Sequence, residues 1–121
     1  MGRTGVTVFL LWLAAGGTAA AGEGAALRAG AAVIDVTPPT GHPMWGYAAR
    51  HAAPCTGVRD RLHARALVLD AGGTRVAFVG LDLGRAPPAA STDAVRKRVA
   101  AAGVREVFLV ASHTHHGPVL E

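Results

Sequence analysis

Apolar and polar positions are patterned most clearly between Leu62 and Leu83. The stretches Leu62–Leu69 (LHARALVL) and Arg75–Leu83 (RVAFVGLDL) flank Asp70, Ala71, Gly72 and Gly73. Two apolar runs around a Gly-Gly turn predict a β-hairpin. Upstream, Gly30–Val36 (GAAVIDV) predicts a first strand, closed by Thr37, Pro38 and Pro39. Proline has no N–H for a sheet ladder and drives the residue before it into an extended conformation. A loop follows to Gly57. Pro87 and Pro88 then open a helix from about Ala89 to Ala102, with Asp93 near its start, Arg96, Lys97 and Arg98 toward its end, and Gly103 at the stop position. Val95 and Val99 share one face of that helix. Glu106–Ala111 (EVFLVA) is apolar after its first residue and predicts a buried strand with both faces covered. The expected class is α/β, a mixed sheet with a β-hairpin and a crossover helix.

Residues Met1–Ala21 carry the three parts of an export signal: Arg3 at the start, the apolar stretch Val6–Ala15 (VTVFLLWLAA), and the small residues Ala19, Ala20 and Ala21 before a cleavage site. The apolar run is about half the ~20 residues that cross a bilayer, which argues against a membrane anchor. The expected organisation is a signal peptide over residues 1–21 and one domain portion over residues 22–121, secreted or periplasmic.

Composition narrows the function. Half of the 121 residues are apolar and 17% are charged, the mark of one small globular unit rather than a disordered tail. Aromatic residues make up only 5%, so the core must be built from Ala, Val and Leu, which bury less area per residue. The net charge of +4 is spread along the chain, and its densest run, Arg96 to Arg98, reads as a solvated helix face with no nucleic-acid footprint. The single cysteine, Cys55, excludes an intramolecular disulfide and a multi-cysteine metal knuckle, leaving histidines and carboxylates as the metal-binding candidates.

The chemistry concentrates where the last strand ends, at Ser112, His113, Thr114, His115, His116, Gly117 and Pro118. In an extended segment, residues two apart point to the same side about 6–7 Å apart, so His113 and His115 would face one site and Thr114 and His116 the other. Neutral imidazole suits zinc, and a ligand at the carboxyl end of a buried strand is held on a rigid element beside an open loop. A polar capping loop is the competing structural reading.

Two metal families that place HxH after a strand fit less well. The metallo-β-lactamase pattern HxHxDH would put Asp at Gly117 and His at Pro118. An amidohydrolase barrel repeats strand and helix, whereas here a hairpin and a helix precede the histidines. Both remain alternatives, as does a non-catalytic exported metal-binding fragment.

Five segments in order carry a resemblance: Gly30–Pro38 (GAAVIDVTP), Met44–Tyr47 (MWGY), Gly57–Val68 (GVRDRLHARALV), Val79–Gly84 (VGLDLG) and His113–Pro118 (HTHHGP). Together they resemble the start of the neutral/alkaline non-lysosomal ceramidase family, over about Leu27 to Pro118. The resemblance implies a partial domain of a larger α/β zinc hydrolase that cleaves the N-acyl amide of ceramide to sphingosine and a fatty acid. It implies Zn2+ as cofactor, His113 as a zinc ligand, His115 as the catalytic histidine beside the scissile amide, and Gly46 as a substrate-side loop glycine. It gives Asp82 and Arg65 no role beyond supporting a turn. Its implied partners are a lipid or amide small-molecule substrate, peripheral contact with membrane lipid, and the missing C-terminal part of its own domain. Where the family pattern reads HTHSGP, this chain has His116, which leaves the substrate open. The family's other zinc ligands, a histidine, a glutamate and a tyrosine, and its serine nucleophile are expected beyond Glu121, so the chain is expected to be an incomplete fragment, inactive alone.

Overall fold

The computed structural model describes residue 24 and residues 26–50 and 53–120; the export signal read over residues 1–21 lies outside them. Among the described residues, four strands and one helix follow in the order β1 (Leu27–Asp35), β2 (His63–Ala71), β3 (Thr74–Leu81), α1 (Ala89–Ala100) and β4 (Val104–Ala111), with a 3-10 turn at Ala48–Arg50. The sheet order is β1-β2-β3-β4. The first two pairings are antiparallel and the last is parallel, joined through α1. This is the expected mixed sheet, hairpin and crossover helix.

The hairpin forms because Gly72 and Gly73 both adopt positive φ, 60° and 84°, as the primed two-residue turn requires. Asp70 secures it from the side, accepting from the Gly73 N–H at 3.0 Å and from Arg75 Nε at 2.8 Å. Arg75 also donates to the Ala102 carbonyl at 2.8 Å, tying the hairpin to the end of α1. The helix stops at Ala100, and Gly103 at φ 76° turns the chain into β4.

Alternation along the strands sorts the side chains into two faces. In one register row Gly30, Val68, Ala77 and Val107 align across the sheet. This face takes the helix: Ala77, Val104 and Val107 form the buried cluster, and Val95 and Val99 of α1 pack against it, as the helix pattern predicts. The neighbouring row aligns Ala31, Leu67, Phe78 and Phe108. Phe78 and Phe108 stack with ring centroids 5.2 Å apart, yet remain 43% and 50% exposed. The expectation that β4 is covered on both faces is thus not met among the described residues, where only its helix side is buried. The sheet's importance for function lies at one end, where the parallel strands β3 and β4 deliver two loops, 82–88 and 112–118, side by side.

Candidate active site

Ligands of open α/β sheets gather beyond the carboxyl ends of the parallel strands, and that is where the histidines stand. The Ser112 N–H donates to the Leu81 carbonyl at 2.9 Å, so the two loops leave the sheet in register. Asp82 anchors the first loop. Its carboxylate accepts from the His63 N–H at 2.9 Å and from Arg65 at 2.9 Å, while its own N–H donates to the His63 carbonyl. The Arg65 guanidinium holds the Asp82 carboxyl below the usual aspartate range; the His63 N–H adds to this and partial burial opposes it.

His113 follows the end of β4 in a left-handed conformation, φ 60°, which is costly for a residue with a side chain and marks a position held by its surroundings. The strand stops at Ala111, so the two histidines do not reach one site by strand alternation as the spacing suggests. Backbone reversal brings them together instead, with ring centroids 5.3 Å apart. His113 Nδ1 lies 2.9 Å from the Gly84 carbonyl oxygen. A carbonyl only accepts, so Nδ1 carries a proton, and in the neutral ring the lone pair that a metal or an acid would take is on Nε2. This is the arrangement that orients and strengthens metal-binding histidines.

A third segment, residues 43–50, closes the site. The Trp45 N–H donates to the Gly117 carbonyl and the Val119 N–H to the Pro43 carbonyl, both at 2.9 Å, so this loop runs as a short antiparallel bridge beside the histidine loop. The Trp45 ring meets both imidazoles edge-on, with centroids 4.9 Å from His113 and 4.8 Å from His115. Tyr47 meets His115 from its own side at 4.8 Å. Two glycines make room. A Cβ at Gly46, already at φ 81°, would fall 2.5 Å from His115 Cγ, and a Cβ at Gly84 would overlap the Trp45 indole.

His113, His115 and Gly46 therefore converge. His116 instead lines, with Thr114, Met44, Cys55 and Asp82, a cavity of about 530 Å³ whose lining includes neither His113 nor His115, while its ring centroid lies 6.5 Å from that of Tyr47. Trp45, Gly84 and Arg50 are not singled out by the sequence, although Trp45 lies within Met44–Tyr47 and Gly84 within Val79–Gly84, two of the segments that carry the resemblance. Among the described residues no three His, Cys, Asp or Glu side chains come together around one metal position. His113 fits a metal as one ligand and the described residues do not complete the set.

The comparison with known families decides what this arrangement belongs to, since residues 27–119 match the family described as neutral/alkaline non-lysosomal ceramidase, N-terminal. The chain belongs to the neutral/alkaline non-lysosomal ceramidase family. Among solved structures it is similar to the neutral ceramidase from Pseudomonas aeruginosa, with 32% identity over 77% of this chain and 16% of that one, at a TM-score of 0.64. It is similar also to a ceramidase complexed with C2, with 33% identity over 77% of this chain and 15% of that one, at a TM-score of 0.65. No curated protein matches the sequence. The chain thus spans about one sixth of the ceramidases it matches, and its sheet and helix correspond to a partial domain of the ceramidase fold. This family membership displaces the metallo-β-lactamase and amidohydrolase readings.

Proposed function

We propose that the chain supplies one zinc ligand, His113, and one catalytic histidine, His115, to a zinc-dependent hydrolase that cleaves the N-acyl amide of ceramide or a related lipid amide. The observation that carries this reading is the His113 imidazole, whose Nδ1–H is held by the Gly84 carbonyl beside a second imidazole. Zinc, when bound, polarises the amide carbonyl and lowers the pKa of an oxygen nucleophile. His113 presents Nε2 in a fixed direction. His115 stands beside the scissile amide and exchanges a proton with, or hydrogen-bonds to, its reacting groups. Gly46 lets the 43–50 loop approach the substrate without a side chain in the way. A lipid amide as the substrate class is supported by membership of the neutral/alkaline non-lysosomal ceramidase family, of which one solved relative is a ceramidase complexed with C2.

Catalytic zinc uses about three protein ligands. The histidine, glutamate and tyrosine ligands and the serine nucleophile implied by the family therefore belong to the part of the catalytic domain that this chain does not span. Export to the periplasm or medium, after cleavage near Ala21, rests on the pattern of residues 1–21.

The test is to graft residues 27–119 in place of the matching segment of the Pseudomonas aeruginosa neutral ceramidase. Zinc content and hydrolysis of a short N-acyl sphingosine are then measured. The expected result is a zinc-loaded, active hybrid that loses both properties with His113→Ala. Full zinc content in the His113→Ala hybrid would overturn the ligand assignment.

A further inference from the structure

We infer that Arg50 is a positioning residue for His115, an assignment that rests on the active-site reading above and deepens it. The Arg50 side chain donates through Nη2 to the main-chain carbonyl of His115, a residue 65 positions later, and reaches the Trp45 carbonyl at 3.4 Å. Its guanidinium carbon lies 4.9 Å from the centre of the Tyr47 ring, within cation–π range. One half-buried cation therefore touches all three walls around the His115 imidazole: the Trp45 main chain, the Tyr47 ring and the backbone of His115 itself.

The chain has reason to place an arginine there. Tyr47 is left-handed at φ 52°, an unfavourable conformation for an aromatic residue, and directly follows Gly46 at φ 81°. This reversal is fixed by the 3-10 turn, in which the Arg50 N–H donates to the Tyr47 carbonyl. The turn in turn aims the Arg50 side chain back across the histidine loop. Only a planar guanidinium offers several donors to two carbonyls while presenting a face to an aromatic ring; a lysine ammonium offers a single point charge. His113 is held independently by Gly84, so removal of the Arg50 contact should release one histidine and leave the other.

NMR on the 121-residue chain with isotope-labelled histidine tests this without substrate or metal, so its outcome is separable from that of the hydrolysis experiment. The His115 imidazole packs at near right angles against the Trp45 and Tyr47 rings, centroids 4.8 Å from each, so their ring currents are expected to displace its ring-proton signals from the free-histidine position. In Arg50→Ala the displacement of His115 should be lost while that of His113 is retained and the strand amides keep their dispersion. Arg50→Lys should recover only part of the displacement. Should Arg50→Ala disturb the strands, Arg50→Lys alone decides: a folded variant with His115 fully displaced refutes the assignment, and partial displacement supports it. Retention of the His115 displacement in Arg50→Ala, or equal loss at His113 and His115, also overturns it.

Discussion

The imidazole of His113 and the carbonyl of Gly84 face each other at 2.9 Å, across two loops that leave adjacent parallel strands. The contact fixes the tautomer of the neutral imidazole that the proposed function makes a zinc ligand. It also makes residue 84 answer to two neighbours at once, because the Trp45 indole fills the space a side chain there would need.

Gly84→Ala is therefore expected to disturb the site through Trp45. Forcing a methyl group into a filled space costs about 1–3 kcal/mol when backbone must shift. Denaturant unfolding should show a loss in that range, and the His113 ring signals should move with it. A variant as stable as the parent, with unmoved His113 signals, would show that the indole has room to turn away.

Gly46→Ala acts on the other histidine. Its φ of 81° already disfavours a side chain, at roughly 1–2 kcal/mol, and its Cβ would meet the His115 ring. In the grafted ceramidase the variant should reduce hydrolysis of N-acyl sphingosine with zinc content unchanged, since the added methyl would press on His115 while His113 is held by the Gly84 carbonyl. Parallel loss of zinc and activity would mean that the two histidines are not independently supported.

Much of this architecture is legible in the sequence, for local reasons. The Gly72-Gly73 turn fixes the hairpin within two residues of its expected ends, and Gly103 ends the connection after α1. What periodicity does not carry is the partner of each face. The apolar run Val107–Ala111 reads as a doubly covered strand, yet only alternate side chains meet the helix and Phe108 and Val110 stay half exposed. At the site, His113 and His115 follow from their residue types and order, but the reason they meet does not. Strand spacing would bring them to one face, whereas a left-handed His113 reverses the chain instead. The contacts of Trp45 with Gly84, and of Arg50 with His115, join residues 39 and 65 positions apart, and no local pattern encodes such pairs.

Acid should weaken the anchor of the first loop. Asp82 has its carboxyl held below the ordinary aspartate range, chiefly by Arg65. A depressed pKa in the folded state contributes stability above the unfolded-state pKa, and this contribution disappears as pH falls through the folded value. Asp82→Asn should thus be less stable than the parent at neutral pH and lose less stability on acidification. Some acid sensitivity should remain, because Thr37 likewise lowers Asp35 and Arg75 lowers Asp70. Unfolding curves at neutral and acidic pH give the comparison, and identical pH dependence in the two proteins would remove Asp82 from the account.

His113 and His116 sit three positions apart in one loop, so substituting each separates ligand chemistry from loop integrity. His113 is held through Nδ1 by Gly84, whereas His116 is exposed, lining the cavity with Thr114 and bonding through its N–H to Thr114 Oγ1 at 3.2 Å. In the grafted ceramidase, His116→Ala should retain zinc at the parent level and His113→Ala should lose it. His116→Ser, which restores the residue usual at this place in the family pattern, should behave like His116→Ala toward zinc. Any change it brings in the preference among N-acyl chains would then reflect the cavity and not the metal. Zinc measured per protein chain distinguishes these outcomes: loss of zinc in both alanine variants would mean that the loop as a whole, rather than the His113 imidazole, secures the metal.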